Sequence, residues 1–176
     1  MSPENPYQTP ASDLRQPLKG ETDQSSPFSP RGRFGRLSYL AWGTVLYLIV
    51  MLVAVALSAA GLMNTSSPES VGLVQILVTI PAAVVGILFG IRRLHDINAG
   101  GWWMLLSVVP IVNIGLALVL FLKAGTPDAN RFAPPRPTPT WERVVGIIGV
   151  VLLVLGLVGI VAAILIPLVV GVQQGV

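Results

Sequence analysis

From residue 144 to residue 172 the chain carries no charged side chain, and apolar runs at residues 39–62, 71–90 and 102–122 precede that stretch. A helix crosses a hydrocarbon core of about 30 Å with about 20 mainly apolar residues. Lipid offers no partner to a backbone N–H or C=O, so each crossing segment must pair its own, which a helix does. Only 11% of the 176 residues are charged and 53% are hydrophobic, against roughly 25% charged in soluble domains. Such a chain has too little polar surface to fold in water. The expected fold is all-α, a multi-pass helical membrane protein with about four transmembrane helices.

The runs are punctuated. Pro81 sits mid-way through residues 71–90, after Gln75 and Thr79, and Gly86 and Gly90 make a GxxxG pair that lets another helix approach. Pro110 and Asn113 interrupt residues 102–122, and Pro167 lies near the end of the last run. Gly149, Gly156, Gly159 and Ala163 share a narrow helical stripe suited to close packing. The domain division expected is a Pro-rich disordered tail at residues 1–30, a membrane domain at 31–136 and a final helix within 137–176, near 144–172.

Lysine and arginine positions give a topology with one conflict. The N-terminal tail holds Arg15, Lys19, Arg31, Arg33 and Arg36, the first connection holds none, and the second holds Arg92 and Arg93. The third holds Lys123, Arg131, Arg136 and Arg143. Positive charge favours the cytoplasm, so the N-terminus is expected there. Four simple crossings, the preferred arrangement, then place the third connection outside, against that rule. The alternative is three crossings with a re-entrant hairpin at 102–122, its apex at Pro110 and Asn113, its backbone sheltered by protein.

Several chemistries are excluded or weakly supported. There is no cysteine and one histidine, His95, so disulfides, thiolate catalysis, iron–sulfur clusters and a structural zinc site are ruled out. No metal or other cofactor is expected. The net charge of +3 lies largely beside apolar runs, as in membrane proteins, and does not indicate nucleic acid. No nucleophile, base and acid occur together, and an enzyme is not expected.

One dense polar cluster remains, Arg92, Arg93, His95 and Asp96, followed by Gly101, Trp102 and Trp103. Its bland reading is an Arg92–Asp96 ion pair at helical spacing, topology-setting arginines and an interfacial tryptophan belt. Its functional reading is a site for an anionic lipid headgroup or membrane partner, with the tryptophans as an aromatic wall. A histidine side chain ordinarily titrates near neutral pH, and His95 is not needed to set orientation. Thr126, Pro127, Asp128 and Ala129 make good turn chemistry.

The series Arg92-Arg93-Leu94-His95-Asp96, then Gly101-Trp102-Trp103, Pro110, Gly125-Thr126-Pro127 and Asn130-Arg131-Phe132 resembles the family called domain of unknown function 805. Gly35-Arg36-Leu37-Ser38 with Trp42 is similar to that family's opening, and the likeness covers residues 31–136. Two departures stand out. Tyr39 occupies a place where the family often has a basic residue, and Ala99-Gly100 replaces the usual residue-plus-serine before Gly101. The resemblance implies a small multi-pass protein of the bacterial inner membrane, and no activity. It adds Gly35, Arg36, Gly125, Asn130 and Arg131 as secondary site candidates. The stretch from Gly159 to Pro167 is similar to the end of a type IV pilin hydrophobic segment. The pilin glutamate and cleavage glycine would fall at Val150 and Val145, so pilin processing is not expected.

The function expected is therefore a non-enzymatic scaffold or binder of anionic lipid or a membrane partner, with self-association possible. An oligomeric channel or small-solute carrier is the alternative, on the strength of the broken, glycine-rich spans.

Overall fold

The computed structural model describes residues 21–62 and 68–173. Helix α1 is Arg36–Ala59, α2 is Pro68–Asp96, a 3-10 helix covers Gly101–Val108, α3 is Pro110–Leu122 and α4 is Thr140–Gln173. At about 1.5 Å per residue α1, α2 and α4 exceed the hydrocarbon thickness, whereas α3 is only about 20 Å long. Three helices are thus long and apolar enough to cross, with α3 a shorter apolar companion. The all-helical membrane fold expected from the sequence is the one observed.

For residues 102–122 the structure takes the hairpin in place of a simple crossing. Thr126 N–H donates to the Asp96 carbonyl at 2.8 Å, and Arg93 Nε donates to the Leu120 carbonyl at 2.8 Å. The segment therefore leaves and returns at one end of α2. Its turn is a break between two helical pieces: Val109 N–H bonds Leu106 O, Pro110 has no N–H to satisfy, and Asn113 N–H bonds Val109 O at 2.7 Å. The first-turn N–H groups of Ile111 and Val112 find no backbone partner across the break, Val109 provides no side-chain cap, and Val108 and Ile111 are exposed, so the apex lacks the protein shelter expected of it.

The hairpin removes the charge conflict. Arg31 O accepts from Arg92, Lys123 O from Arg93, Arg36 donates to Leu122 O, and Arg131 donates to Asn98 O. Arg136 pairs with Glu142 in the first turn of α4, next to Arg143. Every described lysine and arginine thus gathers at one end, which we term the polar end. Residues 21–30, expected within a disordered tail, are seated there, with Asp23 only 8% exposed. The earlier part of that tail lies outside the described residues.

Helix α2 stops at this end through a left-handed residue. Asn98 has φ 59°, while Ala99 N–H reaches back to Leu94 O and Asn98 N–H to His95 O, a Schellman closure in which Asn tolerates the strained position. The returning hairpin buries Leu116 and Leu120 on Leu94 and Ile97. Gly90 faces the Met104 side chain, so the expected GxxxG pair accommodates a thioether at one of its glycines. Among the described residues, helix α4 packs on α1 and on no other helix. A Cβ at Gly146 would lie 2.6 Å from Leu37 O, and one at Gly149 would strike Thr44, but at Gly156 and Gly159 it would meet nothing within 4 Å. The small-residue stripe is used only at its polar end. Beyond Gly149 the side chains of α4 are almost all exposed, as suits a helix solvated by lipid.

Two outcomes follow. In a cysteine-free background, single cysteines at Ser29 and Asp128 should react with an impermeant thiol reagent from the same side of the membrane. Gly146→Ala should lower stability by about 1–3 kcal/mol through forced backbone displacement, and Gly156→Ala should not lower it; thermal unfolding in detergent measures both.

Candidate functional site

The polar end is built around buried guanidinium groups. Arg33, Arg92 and Arg93 are each 1% exposed or less. Arg33 precedes α1, and Arg92 and Arg93 lie in the last turns of α2. Three cations out of water need partners, since an uncompensated buried charge costs several kcal/mol.

Asp96 supplies the central one. Its Oδ1 accepts from Arg33 Nη2 at 2.9 Å and from Arg33 Nε at 3.2 Å, and its Oδ2 accepts from Arg93 Nη1 at 2.6 Å. The expected Arg92–Asp96 pair is not formed. Arg92 turns instead to the tail: Nη2 lies 3.3 Å from Asp23 Oδ2, Nη1 donates to Ser25 Oγ at 2.8 Å and to Ser26 O at 2.9 Å, and the guanidinium covers the Phe34 ring at 4.4 Å. Positions three and four apart on a helix are equally neighbours. The tertiary partners decide between them, and Arg33 completes Asp96 together with Arg93.

Backbone carbonyls supply the rest. Arg93 donates to Leu120 O and Lys123 O, and Arg33 to Thr126 O, to Asp128 O at 2.7 Å and to Asp96 O at 3.5 Å. Leu120 and Asp96 O belong to the last turns of α3 and α2, where carbonyls lack helical partners and the helix dipole is negative. The arginines therefore cap two helix C-termini while joining them.

Glycines give the acids room. A Cβ at Gly125 would overlap the Asp96 carboxylate, and one at Gly32 would overlap that of Asp23. Gly32 also has φ +91°, which disfavours any other residue. Gly101 lies close over Ile91, and Gly35 precedes the first turn of α1 with no side-chain cap. Asn130 shapes the turn after the hairpin: Nδ2 donates to His95 O at 2.7 Å and Thr126 Oγ1 at 3.0 Å, and Oδ1 accepts from Phe132 N–H at 3.0 Å. The His95 ring stacks on Phe132 with centroids 3.9 Å apart and has Nδ1 3.3 Å from Gly32 O. His95 and Asp96 face separate partners and do not form an acid–base pair.

A second knot joins α4. Glu142, fully buried, takes both Nη atoms of Arg136 at 2.7 and 2.8 Å and Trp42 Nε1 at 2.9 Å. Trp42 meets Trp141 edge to face. Arg33, Asp23, Arg136 and Glu142 were not among the sequence candidates. The signal available for Arg33 was its place in the basic run before the first span, and for Glu142 its position as a carboxylate at the mouth of the charge-free segment.

Of the candidates, Arg92, Arg93 and Asp96 are interior and satisfied by the chain itself, Arg92 Nε excepted. Gly125, Asn130 and His95 support them. The exposed ones are Trp102 at 83%, Trp103 at 57%, Arg36 and Arg131. Arg131 lies over the Phe132 ring at 4.7 Å. Among the described residues there is no group of three metal-ligating side chains.

Removing Asp96 leaves two buried cations without their carboxylate. Asp96→Ala should cost about 3–5 kcal/mol of stability, read as a fall in the detergent unfolding midpoint, whereas Arg131→Gln should change it by less than about 1 kcal/mol.

No solved structure matches the chain. Two relatives, each called Inner membrane protein YhaH, come from Escherichia coli strain K12 and from Escherichia coli O157:H7. Each is 44% identical over 43 residues, which is 24% of this chain and 36% of the relative, so the chain matches about a third of their length. Residues 27–134 match the family model described as Protein of unknown function (DUF805). That span contains Arg33, the end of α2, the whole hairpin and Asn130, and with the match covering more than half of the chain, the protein is a member of the DUF805 family.

Proposed function

We propose that the protein is a non-enzymatic scaffold of the bacterial inner membrane, with its polar end and N-terminus on the cytoplasmic side. In this reading the exposed rim of that end engages an anionic lipid headgroup or a membrane partner. The observation that carries the reading is the saturation of Arg33, Arg93 and Asp96 by one another and by helix-end carbonyls. These groups build a rigid cap and are not poised to react. What the cap turns outward is Trp102, Trp103 and Arg131, an aromatic and cationic surface of the kind found where proteins meet headgroups. The gathering of basic residues at one end supports the cytoplasmic assignment, and the relatives' name supports the inner membrane.

A carrier finds less support. Such proteins place ionisable groups and broken helices around a site near the midplane. The break at Val109 and Pro110 is flanked by exposed apolar residues, Val108 and Ile111 among them, and the described charged side chains belong to the polar end.

The test is a photo-crosslinking amino acid placed at Trp102 or Trp103 in native membranes. A discrete partner protein or enriched anionic phospholipid should be captured, and Arg131→Gln should weaken capture from the Trp103 position several-fold. Adducts that mirror bulk lipid, with no discrete protein, would refute the rim as a binding surface.

A further inference from the structure

Above Gly149 the helices α1 and α4 part, and a cleft of about 570 Å³ opens between them. Along α1 it runs from Tyr39 through Gly43 to Tyr47, and along α4 from Gly149 through Gly156 to Ile160, with Phe89 and Phe121 at its back. The α4 wall is about 16 Å long at 1.5 Å per residue. That is close to the thickness of one leaflet, half of a core of about 30 Å. The volume falls within the range of about 300–1,000 Å³ typical of pockets that hold small ligands.

The cleft is mainly apolar, with hydroxyls only from Tyr39, Thr44 and Tyr47, and two cations, Arg36 and Lys123, lie just beyond its lining residues Tyr39 and Phe121 in sequence. Arg36 lies one turn before Tyr39 and Leu40 on the same stripe of α1. It is exposed, and its one partner among the described residues is the Leu122 carbonyl, at 3.5 Å, beside Phe121 of the cleft. Lys123 follows directly and is also exposed. Neither is in an ion pair among the described residues: Asp23, Asp96 and Glu142 are committed to Arg92, to Arg33 and Arg93, and to Arg136, and the exposed Glu21 and Asp128 pair with no described cation. Two cations free of ion pairs among the described residues thus stand beside the Tyr39 and Phe121 end of a slot of leaflet length.

We propose that the cleft holds one anionic glycerophospholipid, an acyl chain lying between α1 and α4 and the phosphate against Arg36 and Lys123. This face is separate from the Trp102–Trp103 rim, so either site can fail alone. The slot owes its room to small residues: a Cβ at Gly43 or Gly156 meets no atom within 4 Å. A larger side chain there fills the slot without displacing the protein, which makes occupancy testable apart from folding.

The experiment is native mass spectrometry of the full chain, exchanged from detergent into nanodiscs of equal phosphatidylglycerol and phosphatidylcholine with matched acyl chains. Wild type should retain one phosphatidylglycerol in preference to phosphatidylcholine. Arg36→Gln with Lys123→Gln should lower that preference about tenfold, the scale of a lost charge-assisted contact, and Arg36→Lys should keep most of it. Gly156→Leu should abolish retention with an unfolding midpoint no lower than wild type. Equal retention of both lipids, or undiminished retention in Gly156→Leu, would overturn the proposal. So would a lipid-free dimer that Gly156→Leu disperses, since a second copy would then occupy the cleft.

Discussion

A single carboxylate shared between two guanidinium groups holds the polar end together. Asp96 ends α2, Arg33 stands ahead of α1, and Arg93 reaches the end of α3. None of these ions could be buried alone, because desolvation outweighs any single ion pair that is imperfectly completed. The arginines are tolerable inside because each also meets carbonyls that helix termini leave unpaired. The same contacts bring the start of α1 and the ends of α2 and α3 to one place. With those ends joined, residues 97–125 must form a closed excursion, and α4 must start from the side to which the hairpin returns.

That constraint explains the unequal construction of the molecule. At the polar end nearly every helix touches several others through charged, aromatic and glycine contacts. Away from it α4 has α1 beside it and no other helix among the described residues, and the close glycine contacts of Gly146 and Gly149 are not repeated at Gly156 or Gly159. Helix association in lipid lacks a general hydrophobic drive and depends on close packing and polar contacts. Where those end, the helices are free to part, and the cleft is the space they leave. Matching glycines with nothing beside them reflects the same change from protein contact to lipid contact along one helix.

Much of this was legible in the sequence, and the reasons for the rest are physical. Helical membrane character followed from run length and charge content, which depend on no tertiary detail. The fate of residues 102–122 turned on charge bookkeeping: Lys123, Arg131, Arg136 and Arg143 were difficult to place outside, and Pro110 marked the break. Pairing was harder to read. Arg92 and Asp96 share a helix face, but so do Arg93 and Asp96, and the choice is made by Arg33, 63 residues away in sequence. Asp23 lay in a Pro-rich stretch with no apolar period, so nothing local indicated that Arg92 would hold it in place. Gly125 stood out through resemblance, but its reason, the Asp96 carboxylate resting against it, is visible only in three dimensions.

The family span and the two knots divide the protein in an informative way. The match over residues 27–134 takes in the Arg33–Asp96–Arg93 arrangement and the hairpin. Asp23, Arg136, Glu142 and α4 lie beyond it. The first knot closes the hairpin without help from α4. The second fastens α4 to the finished unit through Arg136, Glu142 and Trp42, and the lower glycines then seat it on α1. With its close glycine contacts at Gly146 and Gly149 and none at Gly156 or Gly159, α4 leaves an opening beside Gly43 of α1. The buried acid of the second knot thus sets the place of α4 and, with it, the width of the cleft.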